Sequence, residues 1–371
     1  MRVSVPTIPH TVVSSGVPIP PAEAIERIST FLRPGNVAVL TGAGVSVDSG
    51  VKAYRGKDGR YMNPNYKPIF YHQLMENGPR GHAYRQRYWL RSYIGYPPVR
   101  DTLPNTTHFA IAALQHSKNV INLITQNVDG LHHKAVKHVW DSRTVQDSIL
   151  ELHGTLHRVH CKFGHGFDRD QFQEWLGDAN PEWKAYMDDM EKTGQKPKTN
   201  PDGDVALEGV SYDNYVVPGC PGCLSEGRRN NVIKPDVIFF GESIGQEVRD
   251  RSYRIINECD RLFIIGTTLA TYSAFRLLKH AMELKKPVLL LNVGPTRADS
   301  IPGIDKIEIP SGQILREVVR NVLGTRATYD PSIREMLESG IVDPPTDEGY
   351  GDGTQANAPL NAVAAAAARG P

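Results

Sequence analysis

The chain has 371 residues, of which 40% are hydrophobic and 22% charged, with 42 Lys and Arg against 41 Asp and Glu. A formal charge of +1 excludes the basic footprint of a nucleic-acid or acidic-membrane binder, and no apolar run reaches the roughly 18 residues of a membrane span. Four cysteines are too few for a disulfide framework in a chain this long, which points to a reducing compartment and leaves a metal site open.

Residues 1–21 carry five prolines, no apolar core of a secretory signal and too little Arg for a transit peptide; they are expected to be disordered. Ala22 to Leu32 reads as a helix with Ile25, Ile28 and Leu32 on one face. Val37 to Leu40 is a buried strand feeding a glycine turn. The segment Tyr54 to Val99, rich in Tyr, Arg, Pro and His, reads as loops and short helices. Strand patterns return at Val120–Thr125, Leu262–Ile265 and Val288–Leu291, each ending in small or polar residues. The alternation predicts an α/β fold built on a doubly wound, parallel, Rossmann-like sheet. The polar stretch His157 to Asn231 breaks the pattern and holds three cysteines, so it reads as a small inserted zinc-binding or helical module. The expected division is 22–55, 101–156 and 229–325 for the nucleotide-binding domain, and 56–100 with 157–228 for the module. Residues 326–371 are expected to form a disordered tail.

Five motifs carry candidate chemistry. Gly42-Ala43-Gly44-Val45-Ser46 follows a strand directly, where glycines let the backbone approach a pyrophosphate; the plainer reading is a tight strand-to-helix turn. Val47 occupies the place of the third glycine of a dehydrogenase fingerprint, and Gly50 breaks an early helix, which together argue against hydride transfer. Gln126, Asn127 and Asp129 stand at a strand end, suited to ribose hydroxyls and an amide, although Asp129 equally suits a helix N-cap. His153 precedes Gly154, which permits an unusual backbone angle and close approach of a ligand; a lone His is more often structural. Val237, Ile238, Phe239 and Phe240 form either an ordinary strand or an edge that accepts an extended peptide, with the two Phe rings on opposite sides. Cys220 and Cys223 make a C-x-x-C knuckle and Cys161 an incomplete one, with Gly164 where its second Cys belongs and His165 next as a fourth ligand; Cys259 reads as a buried small hydrophobe.

In order and spacing these motifs resemble the sirtuins over residues 22 to 322, and are most similar to the mitochondrial class II branch through Arg85-Gln86-Arg87-Tyr88-Trp89 and Asn292-Val293-Gly294-Pro295-Thr296-Arg297. The resemblance implies an NAD-dependent protein-lysine deacylase acting on acyl-lysine proteins, with a mitochondrial address that the N-terminus supports poorly. In such enzymes the acyl oxygen attacks C1′ of the nicotinamide ribose and expels nicotinamide. His153 is then the general base, and Asn127 orders the ribose. Gly42, Ala43, Gly44, Tyr54 and Arg55 hold the phosphates and a covering loop. Gln126 and Asp129 face the nicotinamide ribose and amide. Gly266, Thr267, Thr268, Asn292 and Gly294 hold the adenosine half, and Val237 to Phe240 form the acyl-lysine channel. Zinc is structural, on Cys161, His165, Cys220 and Cys223.

Two departures from the family pattern are Lys52-Ala53 in place of Pro-Asp, and Thr267-Thr268 in place of Ser-Ser. Mono-ADP-ribosyl transfer and an NAD-binding regulatory role with weak catalysis are the alternatives. Tyr84 and Arg87 have the spacing that a succinyl channel would need.

Overall fold

Along the strand Val37–Thr41 (β1), Val37 and Val39 enter one hydrophobic core while Ala38 and Leu40 enter another, because successive side chains point to opposite faces. A strand apolar on both faces must be covered on both, and this one is the centre of a six-stranded parallel sheet. The computed structural model describes residues 18–55, 68–194, 209–229 and 232–342, together with 8, 14–16, 205 and 207.

The other strands are Val120–Thr125 (β2), Ile149–Glu151 (β3), Gly154–Cys161 (β4), Gly166–Asp168 (β5), Ile233–Val237 (β6), Arg261–Ile265 (β7), Val288–Leu291 (β8) and Asp305–Ile307 (β9). The large sheet runs β3-β2-β1-β7-β8-β9. Its order reverses at β1, and a ligand crevice forms outside the carboxyl ends of the strands at such a reversal. On one face the helix Pro21–Leu32 buries Ala24, Ile28 and Leu32 against the helix Ser311–Leu323, with proline at its first turn. Full burial of Ile28 or Leu32 stabilises by about 2 kcal/mol each. The opposite face takes Leu277, Leu278 and Ala281 from the helix Tyr272–Glu283.

A third core joins Trp89, Leu90 and Ile94 to Phe172, Leu176, Ile233 and the buried cysteines 161, 220 and 223. Here the antiparallel sheet β5-β4-β6 lies. Residues 233–237, expected with the nucleotide-binding domain, therefore pair with β4 of the smaller sheet.

Three expectations need correction. Residues 79–101, read as loops and short helices, form one helix, Pro79–Asp101, with Pro97 and Pro98 inside it. Its pattern is masked because buried positions include Arg85, Gln86 and Arg91, whose polar ends bond to backbone carbonyls instead of water. The tail does not begin at 326: the helix Pro331–Glu338 packs Ile333, Met336 and Leu337 against the helix Thr106–His116, and the Asp330 side chain caps it. Residues 14–16 also have a fixed place, since Ser15 donates its N–H and hydroxyl to Asp299 at 3.0 and 2.6 Å. Residues 56–67 and 343–371 lie outside the described residues. Among the described residues no helix is long and apolar enough to cross a membrane.

Candidate functional site

A cleft of about 800 Å³ opens where β1, β2, β7 and β8 end, lined by Gly42, Gln126, Gly266 and Asn292, each the residue that follows its strand. Ala43, Gly44, Tyr54, Arg55, Asn127, His153, Thr267 and Thr268 share its wall, as do Val237, Ile238, Phe239 and Phe240. After β1 the chain makes a 3-10 helix, Ala43–Ser49, ended by Gly50 at φ 81°. The glycines here serve each other. The Gly44 N–H donates to the Gly266 carbonyl at 2.8 Å, and a Cβ at Gly44 would lie 2.8 Å from Gly266 Cα. A Cβ at Gly42 would lie 2.6 Å from Thr267 Cβ. Close contact between the β1 and β7 loops thus demands glycine, whatever ligand the cleft holds.

Gln126 ties the two sides of the cleft. Its amide donates to the Thr41 carbonyl at 3.1 Å and to the Thr267 hydroxyl at 2.9 Å, and its side-chain oxygen accepts from Thr271 at 3.0 Å. The backbone oxygen of Gln126 meets His153 Nδ1 at 3.1 Å. A carbonyl only accepts, so Nδ1 carries the hydrogen and Nε2 presents its lone pair. Nε2 meets Ser273 Oγ at 2.7 Å. Burial pushes the His153 pKa down to about 4, opposed by the Gln126 carbonyl, so the imidazole is neutral at physiological pH and able to take a proton.

Asn127 donates to Ser46 Oγ at 3.0 Å, and Ser46 donates to Asp129 at 2.8 Å. The other Asp129 oxygen accepts from the Leu131 N–H at 3.0 Å; Asp129 stands one residue ahead of Gly130, which takes the N-cap place of the helix Leu131–Val136 in its stead. The structure places Asp129 behind the cleft wall, 3% exposed, so its reach to the ligand runs through Ser46 and Asn127. Gly294, at φ 81°, lies outside the wall, and Asn292 turns its amide toward the Val293 and Gly294 carbonyls at 2.9 and 3.3 Å. Gly154 also differs from expectation: at φ 77° its Cβ would fall 1.9 Å from the Asp236 carbonyl, so the close neighbour is β6 and not a ligand.

The segment after β6 leaves the sheet. The Ile238 N–H donates to the His153 carbonyl at 2.9 Å, which ties it to the base. Phe239 and Phe240 have different ring partners, Tyr88 at 5.3 Å and Phe70 at 6.2 Å, yet both line the cleft, because the chain has left the extended strand at Val237. Tyr84 and Arg87 are absent from this cleft's lining, whereas Tyr88 and Arg91, one turn further along the same helix, belong to it.

Cys161, His165, Cys220 and Cys223 gather with all ligand atoms within 4.8 Å of one another. Cys161 and Cys223 sulfurs are 3.5 Å apart, and His165 Nδ1 lies 3.4 and 3.6 Å from the sulfurs of Cys220 and Cys223. Zinc–sulfur bonds of about 2.3 Å in a tetrahedron give edges of about 3.8 Å, so the four donors fit a structural zinc ion. Gly164 at φ 91° turns the chain so that His165 replaces the missing cysteine. A Cβ at Gly222 would strike the His165 ring at 2.8 Å, and the far ring nitrogen faces Glu226 at 3.4 Å, the outer partner that fixes a ligating imidazole.

Sequence reasoning named no role for Ser46, Thr271, Ser273, Tyr88 or Arg91. Ser46 lay inside a quoted motif. Thr271 and Ser273 gave no signal, because what they bond arrives from β2 and the β3–β4 turn.

Comparison with known proteins agrees with this geometry. The Sir2 family model matches residues 42–273. The chain is 41% identical over 293 residues to the NAD-dependent protein deacylase SIR4 of Batrachochytrium dendrobatidis, covering 78% of this chain and 90% of that one. It is 32% identical to the NAD-dependent protein lipoamidase sirtuin-4, mitochondrial, of Bos taurus, with 81% and 89% covered. In structure it resembles a Sir2 homolog–NAD complex, with a TM-score of 0.55 at 23% identity over 84% of this chain and 97% of the other; that likeness concerns the fold. The extent of these matches, on a cleft built around His153, shows that the chain belongs to the Sir2 family.

Proposed function

We propose that the chain is an NAD-dependent protein-lysine deacylase that moves an acyl group from lysine to ADP-ribose and releases nicotinamide. The observation that carries this reading is His153, a neutral imidazole on the cleft wall with its Nδ1–H fixed by the Gln126 carbonyl and its Nε2 lone pair accepting from Ser273, which lines the same cleft. On this reading the nucleophile belongs to the substrates: the acyl oxygen attacks C1′ as nicotinamide leaves. His153 then takes the proton of a ribose hydroxyl, whose oxygen bonds to the imidate carbon. Asn127, held by Ser46, orders the ribose. Gln126 and Thr267 bridge the nicotinamide and adenosine halves of the cleft. The segment Val237–Phe240 would take the acyl-lysine, since it lines the cleft and hangs from His153 through Ile238.

The names of curated relatives support NAD as the co-substrate and acylated proteins as targets, and the bovine relative's name supports a mitochondrial address. The test is incubation with NAD and acyl-lysine peptides. Nicotinamide and deacylated peptide should appear in equal amounts, and His153→Ala should lower both by at least about 100-fold. Nicotinamide without deacylated peptide would favour ADP-ribosyl transfer instead.

Tyr88 and Arg91 favour one acyl class. Arg91 is only 7% exposed, yet it borders the cleft one turn from Tyr88, which packs on Phe239. A guanidinium there suits an acyl chain that ends in a carboxylate or another hydrogen-bond acceptor.

A further inference from the structure

Ser273 lies in the first turn of the helix Tyr272–Glu283, on a strand–helix unit separate from the one that carries His153. Its hydroxyl meets His153 Nε2 at 2.7 Å. Nδ1 already donates to the Gln126 carbonyl, so in the neutral ring Nε2 accepts and Ser273 donates. Thr271, the N-cap of the same helix, donates to the Gln126 side-chain oxygen at 3.0 Å. One helix turn therefore grips both members of the pair: Gln126 through Thr271, and His153 through Ser273. Both serine and threonine line the cleft, so neither bond is hidden from a ligand.

We infer that Ser273 is a positioning residue for the base, keeping His153 Nε2 aimed at the ribose before and after the proton moves. This rests on the deacylase reading given above. A serine hydroxyl is both donor and acceptor, which is what the task requires. In the resting site it donates to Nε2 and holds the imidazole in one tautomer and one orientation. The arriving ribose hydroxyl takes over that lone pair, and the serine O–H rotates away. When the ribose proton has passed to Nε2, the ring is an imidazolium with hydrogens on both nitrogens. Nδ1–H still donates to the Gln126 carbonyl, and Nε2–H now finds the Ser273 oxygen as acceptor. The ribose oxygen has meanwhile bonded to the imidate carbon, so both N–H groups of the charged ring keep an acceptor. Without the hydroxyl the ring has one anchor, Gln126, and is free to tilt about it. Misplacement of a general base by about 1 Å costs on the order of 100-fold in rate.

The test is steady-state kinetics of the full chain with NAD and an acyl-lysine peptide. Ser273→Ala should lower kcat about 10- to 100-fold while the KM for NAD changes less than about 3-fold, because the hydroxyl orients the base and does not hold the dinucleotide. Ser273→Thr, which keeps the hydroxyl, should recover most of kcat. If the alanine variant does not fold, Ser273→Cys replaces it, and its weaker donor should give a kcat between those of serine and a broken site. Alanine and cysteine variants with wild-type kcat would overturn the inference. So would a loss of kcat accompanied by an equal rise in the NAD KM and no recovery with threonine, the pattern of a purely structural residue. Should the wild-type chain release no deacylated peptide, the deacylase reading itself fails; an active wild type with an equally active alanine variant removes only the role of Ser273.

Discussion

The Lys234 ammonium lies 3.2 Å from the Glu242 carboxylate; the lysine side chain is buried and that of the glutamate, at the cleft wall, is 15% exposed. Lys234 also donates to the Val237 carbonyl at 3.0 Å, and Glu242 accepts from the Phe239 N–H at 2.9 Å. The pair thus staples both ends of the turn that carries the cleft-lining residues 237–239. Burial lowers the lysine pKa and raises the glutamate pKa, so desolvation opposes their attraction. Lys234→Met should leave an uncompensated carboxylate and cost about 3 kcal/mol in urea denaturation. Adding Glu242→Gln to it should restore part of that loss, and a double variant as unstable as the sum of the two singles would refute the coupling.

The pH profile of kcat/KM should show no acidic limb near 6.5. His153 in the free protein has its pKa pushed down to about 4 by burial, and a base works when deprotonated. Activity per folded molecule should therefore persist until the pH approaches about 4, measured with stability controls at each pH. A limb near 6.5 in the wild-type profile would show a solvated imidazole instead.

Acid should weaken the fold between pH 6.5 and 4. Buried His108 and half-buried His133 are depressed to about 4 and buried His132 well below its usual range, all by desolvation first. The unfolded chain binds these protons at higher pH than the folded one, so stability falls as the pH drops from 6.5 towards 4. His108 alone represents about 3 kcal/mol over that interval. Glu151, raised to about 7 by burial, works the other way, since its folded form holds a proton more tightly as the pH falls from 7 towards its usual range. Several histidines outweigh one glutamate, and the urea midpoint should be lower at pH 5 than at pH 7. A flat or rising midpoint would contradict these neutral rings.

Zinc should copurify at one ion per chain, and its removal should unfold the third core, because Cys161, Cys220 and Cys223 pack against Trp89 and Phe172 within it. Glu226→Gln weakens the outer partner of His165 and should lower zinc affinity by about 10-fold or more in competition with a chelator. Metal analysis that finds no zinc in freshly purified protein would refute the assignment.

Arg91→Met should reduce kcat/KM for a succinyl- or glutaryl-lysine peptide by at least about 10-fold more than for an acetyl-lysine peptide, the worth of one charge-assisted hydrogen bond. Equal effects on both peptides would remove Arg91 from acyl recognition.

Four strands of the large sheet, β1, β2, β7 and β8, were legible as apolar runs ending in polar residues; β3 and β9, three residues each, are too short to leave such a run. The helix Pro79–Asp101 was not legible either, since its buried face is written with Arg85, Gln86 and Arg91, and their satisfaction by carbonyls such as those of Leu74 and Tyr215 exists only in three dimensions. At the site, Gln126, Asn127 and His153 sit beside strand ends and could be picked out by type and place. The N-cap reading of Asp129 fails because Gly130 takes that place; Asp129 accepts from the Leu131 N–H instead, and its burial behind Ser46 depends on how the β1 and β2 loops cross. Tyr84 and Arg87 had the spacing of an acyl-reading pair; helix rotation decided that Tyr88 and Arg91 face the cleft instead. Ser273 was invisible because its partner comes from a distant part of the chain.

The fate of the acyl group tests the central claim most directly. After incubation with NAD and an acyl-lysine peptide, the small-molecule products are separated and identified by mass spectrometry. The account predicts that the acyl group is found on ADP-ribose, in amounts equal to nicotinamide, and that His153→Ala abolishes it. Release of the acyl group as a free acid from the start of the reaction, or ADP-ribose attached to protein while the peptide stays acylated, would contradict it.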